Sequence, residues 1–115
     1  MKLPNVHLAT VPEEKITRYL LNPAHPAGGS KASFFLSFSF TVAEWRLLAE
    51  ALIDHARKIE VIAEGERTPH GIRYVVDGPL TAPVDVVLNV RSAWYIDFNG
   101  VAPRFVTAHP LPNHE

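Results

Sequence analysis

The chain lacks cysteine, has a net charge close to zero and contains no long apolar run. Without cysteine among its 115 residues, it can form neither a disulfide nor a thiolate metal site. Its formal net charge of −1 excludes the overall positive field of a general nucleic-acid binder, so any such contact must be local. No stretch approaches the roughly 18 apolar residues of a membrane span, and the first residues show no signal-peptide pattern. These absences predict a cytoplasmic protein without membrane association.

The length and the apolar content predict a single domain over residues 1–115. Hydrophobic residues make up 47% of the chain, which suits one core and is too little for two self-sufficient ones. The ten prolines are scattered at apparent element boundaries rather than gathered in a linker. No repeat or low-complexity tract interrupts the chain.

The first half of the sequence carries helical patterns. A proline followed by two glutamates and an apolar stripe predicts a helix over about 12–21, which ends before Pro23. Thr41 with Glu44 three residues later is a capping-box pattern. The apolar stripe behind it, at helical spacing, predicts a helix that runs to about Arg57.

The segment between these helices fits two structures. The phenylalanine-rich run from 34 to 40 has the spacing of a helical face, but its alternation with serines also fits a strand. Two glycines followed by a serine favour a helix that begins at Lys31 with Ser30 as its N-cap.

From residue 60 onward the pattern becomes extended. Four segments are predicted strands: VIAE at 61–64, IRYVVDG at 72–78, the alternating run 84–98, and RFVTAH at 104–109. Short turn sequences join them, which predicts an antiparallel meander. The alternate residues of the third segment are apolar, so one face of the sheet should lie under the helices. The fold class is therefore α+β, with about three N-terminal helices packed on a four-stranded antiparallel sheet.

The first candidate site is the loop NPAHPAGGSK at 22–31. Its prolines fix the backbone, while Gly28 and the glycine after it permit conformations closed to other residues. If Ser30 caps a helix, free backbone N–H groups and the Lys31 ammonium point to one region that suits a phosphate or carboxylate, with His25 beside it. The alternative is a tight loop in which His25 caps a backbone carbonyl and Lys31 is solvated.

The second candidate site lies on the last strand. Phe105, Thr107 and His109 alternate along the strand and are predicted to share one face, where the hydroxyl and imidazole could contact one phosphate. The alternative is a cross-strand pair at the sheet edge. Arg73 and Arg91 fall opposite the apolar positions of their strands. They could form a cationic wall that binds a substrate, or they could pair with aspartates.

Other residue patterns are less informative. The histidines at 7, 55, 70 and 114 are interpreted as incidental, and His55 is placed at the solvent-facing end of its helix. No HxxxH, HxH or HExxH pattern and no Gly-rich phosphate loop occurs, so we expect neither a metal site nor a cofactor. Trp94 and Tyr95 could stack on a base, although adjacent aromatics on a central strand more often fill a core.

Several motifs in order resemble a small bacterial family catalogued only as a domain of unknown function. They are KLPN at 2–5, YLLNPAHPAGGSKASFF from Tyr19, RYVVDGPL from Arg73 and PRFVTAHPL from Pro103. The resemblance spans nearly the whole chain, and the His-Pro-x-Gly-x-x-Lys-Ala block is its most specific part.

The resemblance carries expectations about function. Such domains occur alone and at the C-terminal ends of large bacterial toxin-like proteins, and their layout is similar to the barnase, EndoU, colicin and RelE class of metal-independent ribonucleases. By this likeness His25 is the general acid/base, Lys31 stabilises the phosphate and Thr107 contacts it. His109 stands where the family has tyrosine; it is either a second proton-transfer group or a sign that the original site is altered. RNA, cut to a 2′,3′-cyclic phosphate, and a cognate immunity or antitoxin protein are the implied partners.

A different class of function fits the same residues. The chain could be a non-catalytic protein-binding module of a toxin and immunity operon, or a small domain with an anion-binding loop. Under that hypothesis the His-Pro-x-Gly loop only connects helices.

Overall fold

The computed structural model describes residues 1–59 and 61–112, with the backbone alone for 62–66; His114 lies outside them. Within this part of the chain a 3₁₀ turn and three helices precede an antiparallel sheet, which confirms the α+β class. The turn is Val6–Leu8, and the helices are α1 (Glu13–Lys15 continued by a π-helical turn, Ile16–Leu20), α2 (Gly29–Ser37) and α3 (Trp45–Lys58). The strands are β1 (Val61–Arg67), β2 (Gly71–Thr81), β3 (Val87–Asp97) and β4 (Arg104–Pro110).

The described sheet has the order β1-β2-β3-β4, with every neighbouring pair antiparallel. Between β3 and β4 the register shifts by one residue, because Trp94 pairs with Phe105 whereas Ala93 pairs with Thr107. Val106 is therefore the extra residue of a β-bulge. The bulge corrects the expectation that Phe105, Thr107 and His109 share a face, since it turns the last two away from Phe105.

The core lies on the face of the sheet that carries Trp94, which we call the inner face; the opposite side is the outer face. Trp94 and Phe105 are fully buried there with their rings 5.5 Å apart and nearly perpendicular. Apolar residues of all three helices belong to the same cluster, among them Ile16, Phe35 and Leu52. Burial of each such side chain contributes roughly 1.5–3 kcal/mol, so the inner face holds the helices on the sheet.

Strand β3 begins three residues later than predicted. Asp85 has a left-handed φ of 59°, and the Ala82 N–H donates to the Val86 carbonyl at 2.8 Å, so 82–86 form a turn and β2 runs on to Thr81. Proline and aspartate favour such turns because one fixes φ and the other tolerates positive φ. Val84, expected on the packed face, is consequently 59% exposed.

The helix starts also differ from the sequence prediction. Helix α2 begins at Gly29 with Gly28 as its cap and without a side-chain cap, so Ser30 is inside the helix rather than its N-cap. The Thr41 hydroxyl does accept the Glu44 N–H at 3.2 Å, but α3 begins only at the next residue. The phenylalanine-rich segment is helical through Ser37, which settles that ambiguity.

No helix within the described residues is long and apolar enough to cross a bilayer.

His55 is not solvent-facing, contrary to the sequence expectation, because α3 turns it onto the inner face, where it is 2% exposed. Its Nδ1 lies 3.1 Å from the Pro79 carbonyl oxygen and its Nε2 lies 2.9 Å from the Ser92 hydroxyl. The Trp94 indole N–H donates to the same hydroxyl at 2.9 Å. These contacts define one tautomer, in which Nδ1 donates to the carbonyl and Nε2 accepts from serine.

Candidate functional site

Three side chains meet where the helices reach round the β4 edge to the outer face. The Lys31 ammonium donates to the Tyr19 hydroxyl at 2.7 Å and to the Thr107 hydroxyl at 3.2 Å, and the two hydroxyls are 2.7 Å apart. We call these three residues the lysine cluster. An ammonium has three donors, and within the described residues Lys31 has no carboxylate partner. The lysine cluster thus keeps one N–H and a full positive charge for a ligand.

The loop before α2 places Lys31 by means of close backbone contacts. A Cβ on Gly28 would lie 2.8 Å from a ring carbon of Tyr19, and one on Gly29 would lie 2.6 Å from the Pro23 carbonyl oxygen. Neither glycine has a positive φ. These glycines are therefore needed for close approach and not for the special conformations that the sequence suggested.

His25 is fixed inside that loop. Its Nδ1 accepts the backbone N–H groups of Ala27 at 3.0 Å and Gly28 at 3.1 Å, and its ring meets the Tyr19 ring edge-on with centroids 4.9 Å apart. The imidazole therefore caps backbone donors rather than the carbonyl considered above. With Nδ1 occupied in this way, the ring proton of neutral His25 lies on Nε2, so the free nitrogen donates and does not accept.

Tyr19 is the electrostatic centre of the cluster. Burial opposes ionisation of its phenol, but the hydrogen bonds of Lys31 and Thr107 and the charges of Lys31 and Lys15 outweigh it and lower the pKa of Tyr19. Lys15 lies over the ring, with Nζ 5.6 Å from the centroid. A phenol with a lowered pKa gives up its proton more readily than an ordinary tyrosine.

His109 lies near the cluster on the outer face, paired across the strands with Arg91. Burial lowers the pKa of His109, the charges of Lys31 and Arg91 lower it further, and the Asp77 carboxylate works in the opposite direction. The imidazole is consequently neutral at pH 7 and able to accept a proton.

The two arginines predicted as substrate-binding residues lie on the outer face but differ in their partners. Arg91 donates two hydrogen bonds to Asp77, from Nε to Oδ1 at 2.7 Å and from Nη2 to Oδ2 at 2.8 Å. Arg73 is exposed and makes no ion pair with another residue whose side chain the structure describes. Arg73 is thus the freer cation of the two.

The structure brings most of the sequence-predicted site residues to one region. Lys31 and Thr107 touch, His25 contacts them through Tyr19, and His109 is within electrostatic reach of Lys31. Ser30 is exposed and makes no side-chain hydrogen bond within the described residues.

Tyr19 is the residue of the lysine cluster that sequence reasoning missed. Its helical spacing places it on the packed side of α1, so it reads as a core residue. The signal that could have revealed it is its position at the head of the YLLNPAHPAGGSK motif.

Metal-binding residues do not gather in the described part of the chain: no three His, Asp or Glu side chains lie close enough to share an ion. The lysine cluster offers an ammonium, a phenol and a hydroxyl, and the imidazoles of His25 and His109 lie beside it. This set of groups suits an anion rather than a metal cation.

The fold and this donor set define a small α+β domain with a positively charged polar cluster at one sheet edge. The chain belongs to the family described as a domain of unknown function, DUF6883, whose profile matches residues 2–112. This match confirms the resemblance drawn from the sequence motifs.

Comparison with other proteins adds a fold relationship. A search of curated proteins finds no match. A solved chain described as part of a contact-dependent growth inhibition toxin and immunity protein complex from Klebsiella pneumoniae 342 is similar with a TM-score of 0.68. The similarity covers 94% of this chain and 97% of that chain at 14% sequence identity, so the two share a fold.

Proposed function

We propose that this domain cleaves RNA by a metal-independent transesterification at the lysine cluster. The observation that carries the proposal is the Lys31 ammonium, held by two neutral hydroxyls and lacking a carboxylate partner in the described chain. Such a charge is suited to the non-bridging oxygens of a phosphate, where negative charge develops during cleavage.

In the proposed reaction a ribose 2′-oxygen attacks the neighbouring phosphorus. His109, neutral at pH 7, accepts the 2′-hydroxyl proton as the new P–O bond forms. The bond from phosphorus to the 5′-oxygen breaks, and Tyr19 gives its proton to that oxygen. The products are a 2′,3′-cyclic phosphate and a 5′-hydroxyl. Lys31 stabilises both the phosphorane charge and the phenolate that remains on Tyr19.

His25 has a binding role in this scheme. Its Nδ1 accepts two backbone N–H groups, and a general base at Nε2 would need its proton on Nδ1, directly against them. We therefore assign His25 to donate its Nε2–H to a phosphate oxygen, with Thr107 as a second contact. Arg73 supplies further positive charge along the outer face. Arg91, on the neighbouring strand, helps to keep His109 neutral because its charge lowers the pKa of His109.

The direct test is cleavage of total bacterial RNA by the purified domain in the presence of EDTA. We expect fragments that end in 2′,3′-cyclic phosphate. Lys31→Ala should lower the rate by about 10²- to 10³-fold, the usual cost of losing one donor to a developing oxyanion. Lys58→Ala is the matched control, because that lysine is exposed on α3 and pairs with Asp54 at 3.0 Å. The proposal fails if the wild type leaves RNA intact or if Lys31→Ala cleaves as fast.

We further infer that the domain is the toxin member of a toxin and immunity pair, and so has a cognate protein partner. The shared fold with a chain of such a complex supports a role of this kind, and the lysine cluster favours the toxic member over the neutralising one. Expression in a bacterial host should arrest growth, while Lys31→Ala expressed to the same level should not. Equal growth of both strains contradicts this assignment.

A further inference from the structure

A second group of side chains on the outer face is not used by the proposed chemistry. Tyr95 projects from β3 on this face, between Arg73 on β2 and Arg104 on β4, which are its directly paired neighbours. Its ring lies across Gly71, where an added Cβ would be 2.7 Å from ring carbon Cε2. The same Cβ would lie even closer to the Ile96 carbonyl oxygen, so only glycine allows both the neighbouring backbone and the Tyr95 ring to approach this closely.

The ring is held rigidly in this position. Its hydroxyl is hydrogen-bonded to the Thr68 hydroxyl, which also accepts the backbone N–H groups of His70 and Gly71 at 3.1 Å each. The aromatic ring is thus tied to the turn between β1 and β2. A rigid ring loses little conformational entropy when a ligand stacks nearby.

Arg104 extends this aromatic surface. The central carbon of its guanidinium is 4.8 Å from the centre of the Tyr95 ring, and its Nε is 3.4 Å from Asp97 Oδ2. The Arg104 side chain is 49% exposed, so a planar group can reach its guanidinium. We call Tyr95 and Arg104 together the stacking pair.

The stacking pair lies close to the lysine cluster. Thr107 pairs with Ala93, which is two residues before Tyr95 on the same face of β3, and two residues of strand span roughly 7 Å. Between the two positions, β3 itself contributes only the buried methyl group of Ala93 to this face. Successive nucleotides of an extended single strand can therefore occupy the two positions together.

We propose that the stacking pair binds an unpaired base next to the phosphate held by Lys31, so that the substrate is single-stranded RNA at the cleavage point. This inference rests on the proposed function. Unstacked bases bind aromatic rings and guanidinium planes through their faces, whereas a base inside a duplex has both faces covered. Arg73, exposed on the other side of Tyr95, is placed to contact the phosphate backbone of the same RNA strand.

The test measures binding separately from cleavage. A fluorescein-labelled, fully 2′-O-methylated oligonucleotide cannot be cleaved, and its anisotropy reports binding as a single strand or annealed to its complement. We expect tighter binding of the single strand. Tyr95→Leu should weaken that binding by about 5- to 150-fold, the equivalent of roughly 1–3 kcal/mol for one stacked base, and should leave duplex binding unchanged.

Three further variants control the experiment. Tyr95→Phe retains the ring and should bind like the wild type, which separates stacking from the hydrogen bond to Thr68. Arg104→Gln tests the stacking pair without altering the ring, and should also weaken single-strand binding. Asn89→Ala, at the exposed far end of the same face of β3, should have no effect.

The results distinguish this inference from the proposed function. If wild type cleaves RNA in a Lys31-dependent way but Tyr95→Leu and Arg104→Gln bind the single strand normally, the stacking pair is overturned and the cleavage proposal stands. Equal binding of duplex and single strand also overturns it. If the wild type neither cleaves nor binds RNA, both proposals fail.

Discussion

The two faces of the sheet carry similar residues in opposite circumstances. On the inner face an imidazole, a serine hydroxyl and an indole form a closed chain, in which His55, Ser92 and Trp94 are all buried. On the outer face a lysine, a phenol and a threonine hydroxyl form a cluster that is partly open to solvent.

The difference lies in charge and in unused hydrogen-bonding capacity. The hydrogen-bonded network of the three inner side chains is neutral. No buried side-chain polar atom in the described residues lacks a partner, as burial requires. The outer cluster holds an ammonium whose described partners are all neutral. A satisfied neutral network specifies a packed core, whereas an unbalanced charge at the surface is available to a ligand. Residue type alone does not separate the two.

Tyr19→Phe gives the largest expected effect on the outer face. The variant keeps the ring against His25 and Gly28 but removes the acidic proton. Cleavage should fall by about 10²- to 10⁴-fold, the usual contribution of a positioned acid, while the free energy of unfolding changes by about 1 kcal/mol. Urea unfolding and cleavage rates measured on the same preparation check this. A variant with normal activity would remove Tyr19 from the mechanism.

The hydroxyl deletions Ser92→Ala and Thr107→Val compare the two faces directly. Ser92→Ala leaves buried atoms of both His55 and Trp94 unpaired, so the free energy of unfolding should fall by about 2–6 kcal/mol, given about 1–3 kcal/mol for each orphaned group. Thr107→Val should cost less than about 1 kcal/mol in stability but should slow cleavage. If both variants lose equal stability, the contrast between the faces is wrong.

The inner face should also make the protein sensitive to acid. Burial lowers the pKa of His55, and hydrogen bonds to backbone carbonyls offset this only in part. Above the unfolded value near 6.5 the imidazole is neutral in both states and stability is unaffected. As pH falls below that value, the unfolded chain binds a proton that the folded chain resists, so stability drops by up to about 1.4 kcal/mol per pH unit. The free energy of unfolding, measured with urea at several pH values between 8 and 5, should fall less steeply with falling pH in His55→Gln than in the wild type. An equal pH dependence in the two proteins contradicts the prediction.

Asp77→Asn gives the smallest expected effect. The variant removes a partly exposed ion pair with Arg91, so the stability cost should be about 0–1 kcal/mol. The Asp77 charge raises the pKa of His109, and its removal lowers that pKa further. If His109 is the base, the cleavage rate increases with pH as His109 loses its proton. This increase should occur at lower pH in the variant than in the wild type. A pH–rate profile identical to that of the wild type would argue against His109 as the base.

Much of the fold was predictable because it depends on local periodicity. The helical stripe in α3, the alternation in β3 and the turn at 68–71 each reflect contacts between residues near in sequence. The errors occurred where one residue changes the backbone. Asp85 in a left-handed conformation delays β3, and the Val106 bulge reverses the facing of the strand beyond it.

The candidate site was predictable only in its parts. The loop motif drew attention to His25 and Lys31, and the last strand to Thr107 and His109. The contact between Lys31 and Thr107 joins residues 76 positions apart, and no local pattern encodes such a contact. Tyr19 and His55 were misread for the same reason, because helical spacing cannot tell which neighbour a side chain meets.

The sequence by itself determined the α+β class, the antiparallel sheet and the family, since these follow from periodicity and from motif residues in order. Only the tertiary structure decided which faces of the sheet His55 and His109 occupy, which hydroxyls hold Lys31, and why Gly28 and Gly29 are required. Those outcomes depend on packing between distant segments, where a bulge or a close backbone contact shifts a side chain from core to surface.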